Sequence, residues 1–225
     1  MSPFLSIPQL IQDRRSIRAY LPTLVSEDVL HNVLKSARLA PSGANLQPGA
    51  LVWVRGDVRE ALTTDLVQAW RDGQQETEDY SYFPQPLPHA LRRRQVAAAQ
   101  ALYGSIGVAR DDRAGRDAQF ERNFHFFGAS VALIVTMPHD MGSGCYMDLG
   151  MTLYGLMLAA QAQGLATCAI GALASYPNLI RRHLALDSAS HIVCGMALGY
   201  ADPEAPVNQT HTTRCDLSDY FKVVG

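Results

Sequence analysis

Three arginines crowd one hydroxyl near the start of this chain. The stretch RRSIRAY (Arg14–Tyr20) sets Arg14, Arg15 and Arg18 around Ser16. Guanidinium groups pair with phosphate through parallel N–H bonds, and a serine hydroxyl adds another donor. If the stretch opens a helix, Arg14 and Arg18 fall one turn apart on one face, with Arg15 beside them. A helix start also offers free N–H groups and the positive end of its dipole. Phosphate binding is the chemistry such a group would do. A solvated basic turn is the alternative that these residues alone leave open.

No other constellation competes with it. Cys145, Cys168, Cys194 and Cys215 are widely spaced, form no C-x-x-C pair and have no histidine at zinc-ligand spacing, so no metal site is expected. Cys168 and Cys194 sit in apolar runs, where cysteine behaves as a small hydrophobe; reduced thiols in a cytoplasmic protein are expected. His31, His89, His125 and His139 lack supporting partners, and structural or surface roles are the default. No G-x-G-x-x-G follows the first strand-like run, and no G-x-x-x-x-G-K-[ST] occurs, which weakens a Rossmann or P-loop reading. A formal net charge of −2 with pI ≈ 6.4 gives no footprint for nucleic-acid binding.

The elements that must position the arginine cluster can be read from periodicity. With 48% hydrophobic residues among 225, the chain can bury a real core. Residues 7–13 suit a short helix. SEDVLHNVLKSARLA opens with Ser26 as N-cap and carries Val29, Leu30, Val33, Leu34 and Ala37 at helical spacing. It stops at the turn-rich PSGANLQPG. ALVWVRG (50–56) reads as a strand and REALTTDLVQAWRD as a helix. Residues 73–128 form a polar, proline-broken and then charged excursion, either a lid or an insertion over a sheet edge. ASVALIVTM, LATCAIGA and HIVCGMALGY read as strands, with a helix over 178–183 between the last two. The apolar stretch from Met147 to Ala174 is broken by Asp148, Gln161, Gln163 and Gly164. It falls short of the ~20 residues of a membrane span and reads as a helix over 146–163, buried in a core or subunit interface. The N-terminus shows no signal-peptide pattern.

Four segments in order, RRSIRAY, APSGANLQPGALVWV (Ala40–Val54), DLGMTLYGLMLAAQAQGLAT (Asp148–Thr167) and VCGMALGYADPEAPVNQTHTTR (Val193–Arg214), together resemble the FMN-dependent nitroreductase superfamily over nearly the whole chain. Details such as NFHFFGASVAL are most similar to bacterial reductases of nitrobenzene-type and nitrobenzoate-type compounds. The resemblance implies an α+β fold, a nitroreductase-like three-layer sandwich with a mostly antiparallel sheet flanked by helices. It implies a single domain over 1–225 that forms an intertwined homodimer with FMN at the interface.

By the same resemblance, Arg14, Arg15 and Ser16 contact the FMN phosphate or ribityl oxygens, and Arg18 reaches the pyrimidine side of the flavin. Arg214 returns to the phosphate, while Thr212 stands where many members carry Lys or Arg, with His211 as a substitute. Pro41, Ser42, Gly43 and Asn45 complete the partner subunit's site. Ile170, Gly171 and Ala172 present backbone N–H groups to the flavin. No catalytic side chain is required, because the flavin carries the redox step. The implied cycle is ping-pong: NAD(P)H gives up its electrons and leaves, then a nitroaromatic enters the same space and is reduced to nitroso and hydroxylamine products.

A planar apolar substrate calls for an aromatic slot. Tyr82, Phe83 and Phe124 are the candidates, with Tyr103 and Phe127 beside them, although aromatics at such spacing also serve as core. Quinone or ene reduction, reductive dehalogenation and non-catalytic flavin binding are the alternatives on the same frame. The zwitterion clamp of iodotyrosine deiodinases is disfavoured, since no lysine lies between Lys35 and Lys222.

Overall fold

Strand β2 is apolar on both faces, and this dictates the layering. The computed structural model describes residues 6–225; the first five, part of the N-terminus read above for a leader, lie outside the described residues. The strands are β1 (Ala50–Val54), β2 (Val131–Pro138), β3 (Ala166–Ile170) and β4 (Ser190–Gly199), antiparallel in the order β1-β2-β4-β3. The helices are α1 (Ile7–Asp13), α2 (Glu27–Ala37), α3 (Gly56–Arg71), α4 (His89–Ser105), α5 (Arg113–Glu121), α6 (Ser143–Ala162), α7 (Pro177–Leu184) and α8 (Leu217–Tyr220).

Side chains alternate across a strand, so β2 feeds two cores. Ala132 and Ile134 pack with Leu62 and Leu66 of α3 and Leu179 and Ile180 of α7. Val131, Leu133, Val135 and Met137 pack with Leu30 and Val33 of α2 and Leu149 and Leu156 of α6. The result is the three-layer α+β sandwich with an antiparallel sheet between helices. Among the described residues, no helix is long and apolar enough to cross a membrane.

The β2–β4 ladder slips once. Val135 faces Cys194 while Thr136 faces Ile192, so Val193 is an extra residue on β4. This bulge turns both Val193 and Cys194 toward the α2/α6 layer, while Ile192 keeps to the other.

Two expectations are corrected here. RRSIR does not open a helix: α1 ends at Asp13, and Arg14 caps it with extended angles (φ −61°, ψ 120°). The chain then runs beside edge strand β3, with the Ile17 N–H donating to the Thr167 carbonyl (3.1 Å) and a parallel bridge joining Ser16 and Thr167. Ile17 and Ala19 are buried, and this period-two anchoring overrides any helical preference. Second, Phe124 walls no open slot. It is fully buried in the core, edge-on to Tyr176 (5.6 Å between centroids) and beside Trp70 (6.0 Å). Phe127 is buried in the same core. We expect Phe124→Ala to lower unfolding free energy by about 3–5 kcal/mol in denaturant titration, as cavity-forming core truncations do.

Candidate functional site

The extended run from Arg14 explains how the cluster is presented. With Ile17 and Ala19 turned into the core, Ser16 and Arg18 project outward with a period of two. They line a cleft of about 820 Å³ together with Arg14, Arg15, His211 and Arg214, residues from both ends of the chain. Among the described residues, none of the four arginines is ion-paired with a carboxylate. Burial pushes the neighbouring Cys168 thiol on β3 up, while Arg18, hydrogen bonding with Ser16, and Arg14 pull the other way. The positive field therefore reaches through the edge strand.

The arginines differ in what they do. Arg15 is committed to the chain: its Nη1 donates to the Asn208 carbonyl (3.0 Å) and lies 3.1 Å from His211 Nε2. Arginine has no acceptor, so His211 Nε2 accepts in this contact. His211 thus holds Arg15 and is no added cation in this arrangement. Arg214 donates to Thr212 Oγ1 (2.9 Å), so the threonine found at the expected basic position orients the arginine two residues on.

The other candidate segments lie elsewhere. Pro41, Ser42, Gly43 and Asn45 do not line the cleft within one chain. Their loop is fastened to α6, where the buried Asp148 carboxylate accepts the Gly43 N–H (3.1 Å), and it is tightened by the Gln47 N–H to Ser42 Oγ (3.0 Å). Ile170 ends β3, and Gly171 and Ala172 begin a 3-10 turn (Gly171–Ser175). Tyr82 comes down on this turn: a Cβ on Gly171 would lie 3.3 Å from the tyrosine ring. Phe83 stands edge-on to Tyr82 at 4.7 Å. The structure therefore brings the aromatic pair of the excursion to the end of β3. Tyr103 lies apart under the Arg116 guanidinium (5.5 Å).

What holds Tyr82 there is a strap of five residues that sequence reading passed over as a polar loop. The Glu76 carboxylate accepts from the Asn178 and Leu179 N–H groups (2.6 and 3.2 Å), capping α7. Glu78 accepts from the Ser175 hydroxyl (2.6 Å). Asp79 pairs with Arg181 (2.6 Å), with side chains only 10% and 14% exposed, and also accepts the Ile192 N–H (2.8 Å). The Tyr80 hydroxyl donates to the carbonyl of Val193, the bulge residue (2.7 Å). Burial pushes the Tyr80 phenol well up, and the thiol of nearby Cys194 adds to the rise. The strap thus reads out the bulge: both sit one residue before the aromatic pair and the turn it covers.

An antiparallel sheet between two helical layers, with an arginine cleft on its edge strand, places the chain among three-layer α+β proteins shaped to receive an anion. The Nitroreductase family model matches residues 11–200, and the chain belongs to that family. It is 37% identical to the 4-nitrobenzoate reductase of Pseudomonas putida over 91% of this chain and 89% of that relative. It is 36% identical to the chloronitrobenzene nitroreductase of Comamonas testosteroni over 99% and 98%. The FMN and NADPH-dependent nitroreductase NfnB of Sphigopyxis sp. strain HMH superposes with a TM-score of 0.94 at 36% identity, covering 98% of this chain and all of that one. The family match ends before Asn208 and Arg214, so their place at the cleft rests on geometry alone.

Proposed function

We propose that the protein is an FMN-dependent, NAD(P)H-driven reductase of nitroaromatic compounds. The observation that carries this is the cleft of Arg14, Ser16, Arg18 and Arg214, which holds positive charge with no carboxylate to balance it among the described residues. Like charges gathered this way repel one another until an anion arrives, and a phosphate monoester of charge about −1.5 to −2 is the fitting complement. The named relatives support the same cofactor, donor and substrate class.

FMN, when bound, supplies the two-electron chemistry. The chain's own residues do the rest. Arg14, Ser16 and Arg214 grip phosphate; Arg18 brings a fixed positive charge toward the flavin ring; and the backbone at Ile170, Gly171 and Ala172 forms a floor. Tyr82 and Phe83 close an aromatic slot in which donor and nitroarene bind in turn, a ping-pong cycle. Each two-electron step consumes one NAD(P)H and one proton, taking nitro to nitroso with loss of water and then nitroso to hydroxylamine. The domain spans 1–225 with 73–128 as its lid, and the nicotinamide donor places the activity in the cytoplasm.

We also read the molecule as a homodimer. Met147, Met151 and Tyr154 form an exposed apolar stripe on α6 at helical spacing, and Leu217, Tyr220, Phe221, Val223 and Val224 leave a second apolar segment in solvent. A second copy covering both lets the loop of Ser42 and Asn45 complete the partner's cleft. Mixing a Ser42→Ala/Asn45→Ala variant with Arg14→Ala should then restore part of the activity that each lacks alone.

One visible spectrum tests the core of the reading. The protein should be yellow, bleach with anaerobic NADPH and recover its colour with a nitroarene. Bleaching without recovery would redirect the substrate class, and a colourless protein that FMN cannot reconstitute would end the flavin reading. Tyr82→Ala should raise the nitroarene KM about tenfold while leaving the FMN dissociation constant unchanged, since roughly 1–2 kcal/mol of aromatic contact is lost.

A further inference from the structure

Asn208 belongs to none of the motifs that point to the site, yet it is the most fully bonded polar side chain near it. It is 3% exposed. Its Oδ1 accepts the Arg18 N–H (2.8 Å) and the Ala19 N–H (3.2 Å). Its Nδ2 donates to the Ala19 carbonyl and the Asp202 carbonyl, both at 2.8 Å. An asparagine amide has two donors and two acceptor positions, and all four are used. Its main-chain carbonyl accepts from Arg15 Nη1 (3.0 Å).

This side chain works as a piece of missing strand. It bonds both peptide groups flanking Arg18 and Ala19, on a segment that leaves β3 after the Ser16–Thr167 bridge and rejoins the fold at Tyr20–Ala201. Between those bridges, Asn208 fixes the backbone from which Arg18 projects. From the same position the chain continues through Thr210, braced by Ser105 (2.8 Å), to His211 and Arg214. One buried residue thereby aligns arginines from opposite ends of the sequence.

We infer that Asn208 is a positioning residue for phosphate recognition: by joining the Arg15–Ala19 segment to the C-terminal segment, it gives the cleft its preference for a phosphorylated flavin over the unphosphorylated one. The inference rests on the flavin reading above. A residue acting only on overall stability would weaken binding of both flavins alike. A residue that orients the arginines weakens only the ligand that carries phosphate.

The test is titration of full-length protein, stripped of flavin, with FMN and with riboflavin by fluorescence quenching. Wild-type protein should prefer FMN. In Asn208→Ala the FMN dissociation constant should rise about 30-fold and that of riboflavin by less than about threefold, because buried charge-assisted contacts are lost only at the phosphate. Far-UV circular dichroism confirms that the variant is folded; if Asn208→Ala does not fold, Asn208→Ser is read in the same way. Equal loss for both flavins, or loss for neither, overturns the assignment. Wild-type protein that binds neither flavin overturns the flavin reading itself, and wild-type protein that binds both equally removes phosphate recognition and this inference with it.

Discussion

Arg14→Ala should raise the FMN dissociation constant by about 10- to 100-fold, the effect of losing charge-assisted hydrogen bonds worth roughly 1.5–3 kcal/mol. Arg14 is the arginine with most to give. Arg15 is bonded to Asn208 and His211, whereas Arg14 lines the cleft with no ion-pair partner among the described residues. Its half-buried position limits screening, so the loss should persist at physiological salt. Arg14→Lys should recover only part of it, because a point charge does not reproduce the two-pronged fork. Flavin fluorescence titration reads both variants, and an unchanged constant in Arg14→Ala would contradict the phosphate role.

Asp79→Ala should have the largest effect on stability outside the hydrophobic cores. The pair with Arg181 is nearly buried, and removing one partner of such a pair leaves a desolvated charge at a cost of about 3–5 kcal/mol. The Ile192 N–H loses its acceptor in the same step. Against a typical total of about 5–15 kcal/mol, this is a large fraction. Chemical denaturation measures it, and a loss below about 1 kcal/mol would show that solvent already shields the pair. Because Asp79 lies three residues before Tyr82, the nitroarene KM should rise as well, with FMN affinity spared. Asp79→Asn, which keeps the shape, should give a smaller version of both changes.

These two sites were not equally legible in the sequence. The layers were, because β2 and the buried faces of α2 and α6 announce themselves by local periodicity. Ser26 shows why caps are readable too: its hydroxyl accepts from Val29, three residues on. The conformation of RRSIR was not readable. Three arginines suit a helix turn as well as a strand, and the choice was made by Thr167, far along the chain, together with burial of Ile17 and Ala19. Phe124 looked like a slot wall for a similar reason. An aromatic near a loop does not reveal that Trp70 and Tyr176 will close over it.

The strap and Asn208 were hidden more deeply. Glu76, Glu78, Asp79 and Tyr80 sit in a polar, proline-adjacent run whose partners lie 97 to 113 positions away. Asn208 reads as a turn former, and its partners are 189 to 193 positions away, apart from Asp202. No local signal marks such residues, because their local environment is that of any exposed loop. A carboxylate beside an aromatic pair, and an asparagine shortly before a site arginine, are the faint hints that were available.

The bulge at Val193 bears on how this scaffold can be recombined. A single surplus residue on β4 frees the carbonyl that Tyr80 grasps, and the adjoining Ile192 N–H is held by Asp79. The lid and the strand irregularity are therefore one heritable unit. A chimera that imports residues 76–88 from a relative lacking the surplus residue would lose its mooring, even if every imported side chain matched the new substrate. A chimera that carries both parts would transfer its specificity intact.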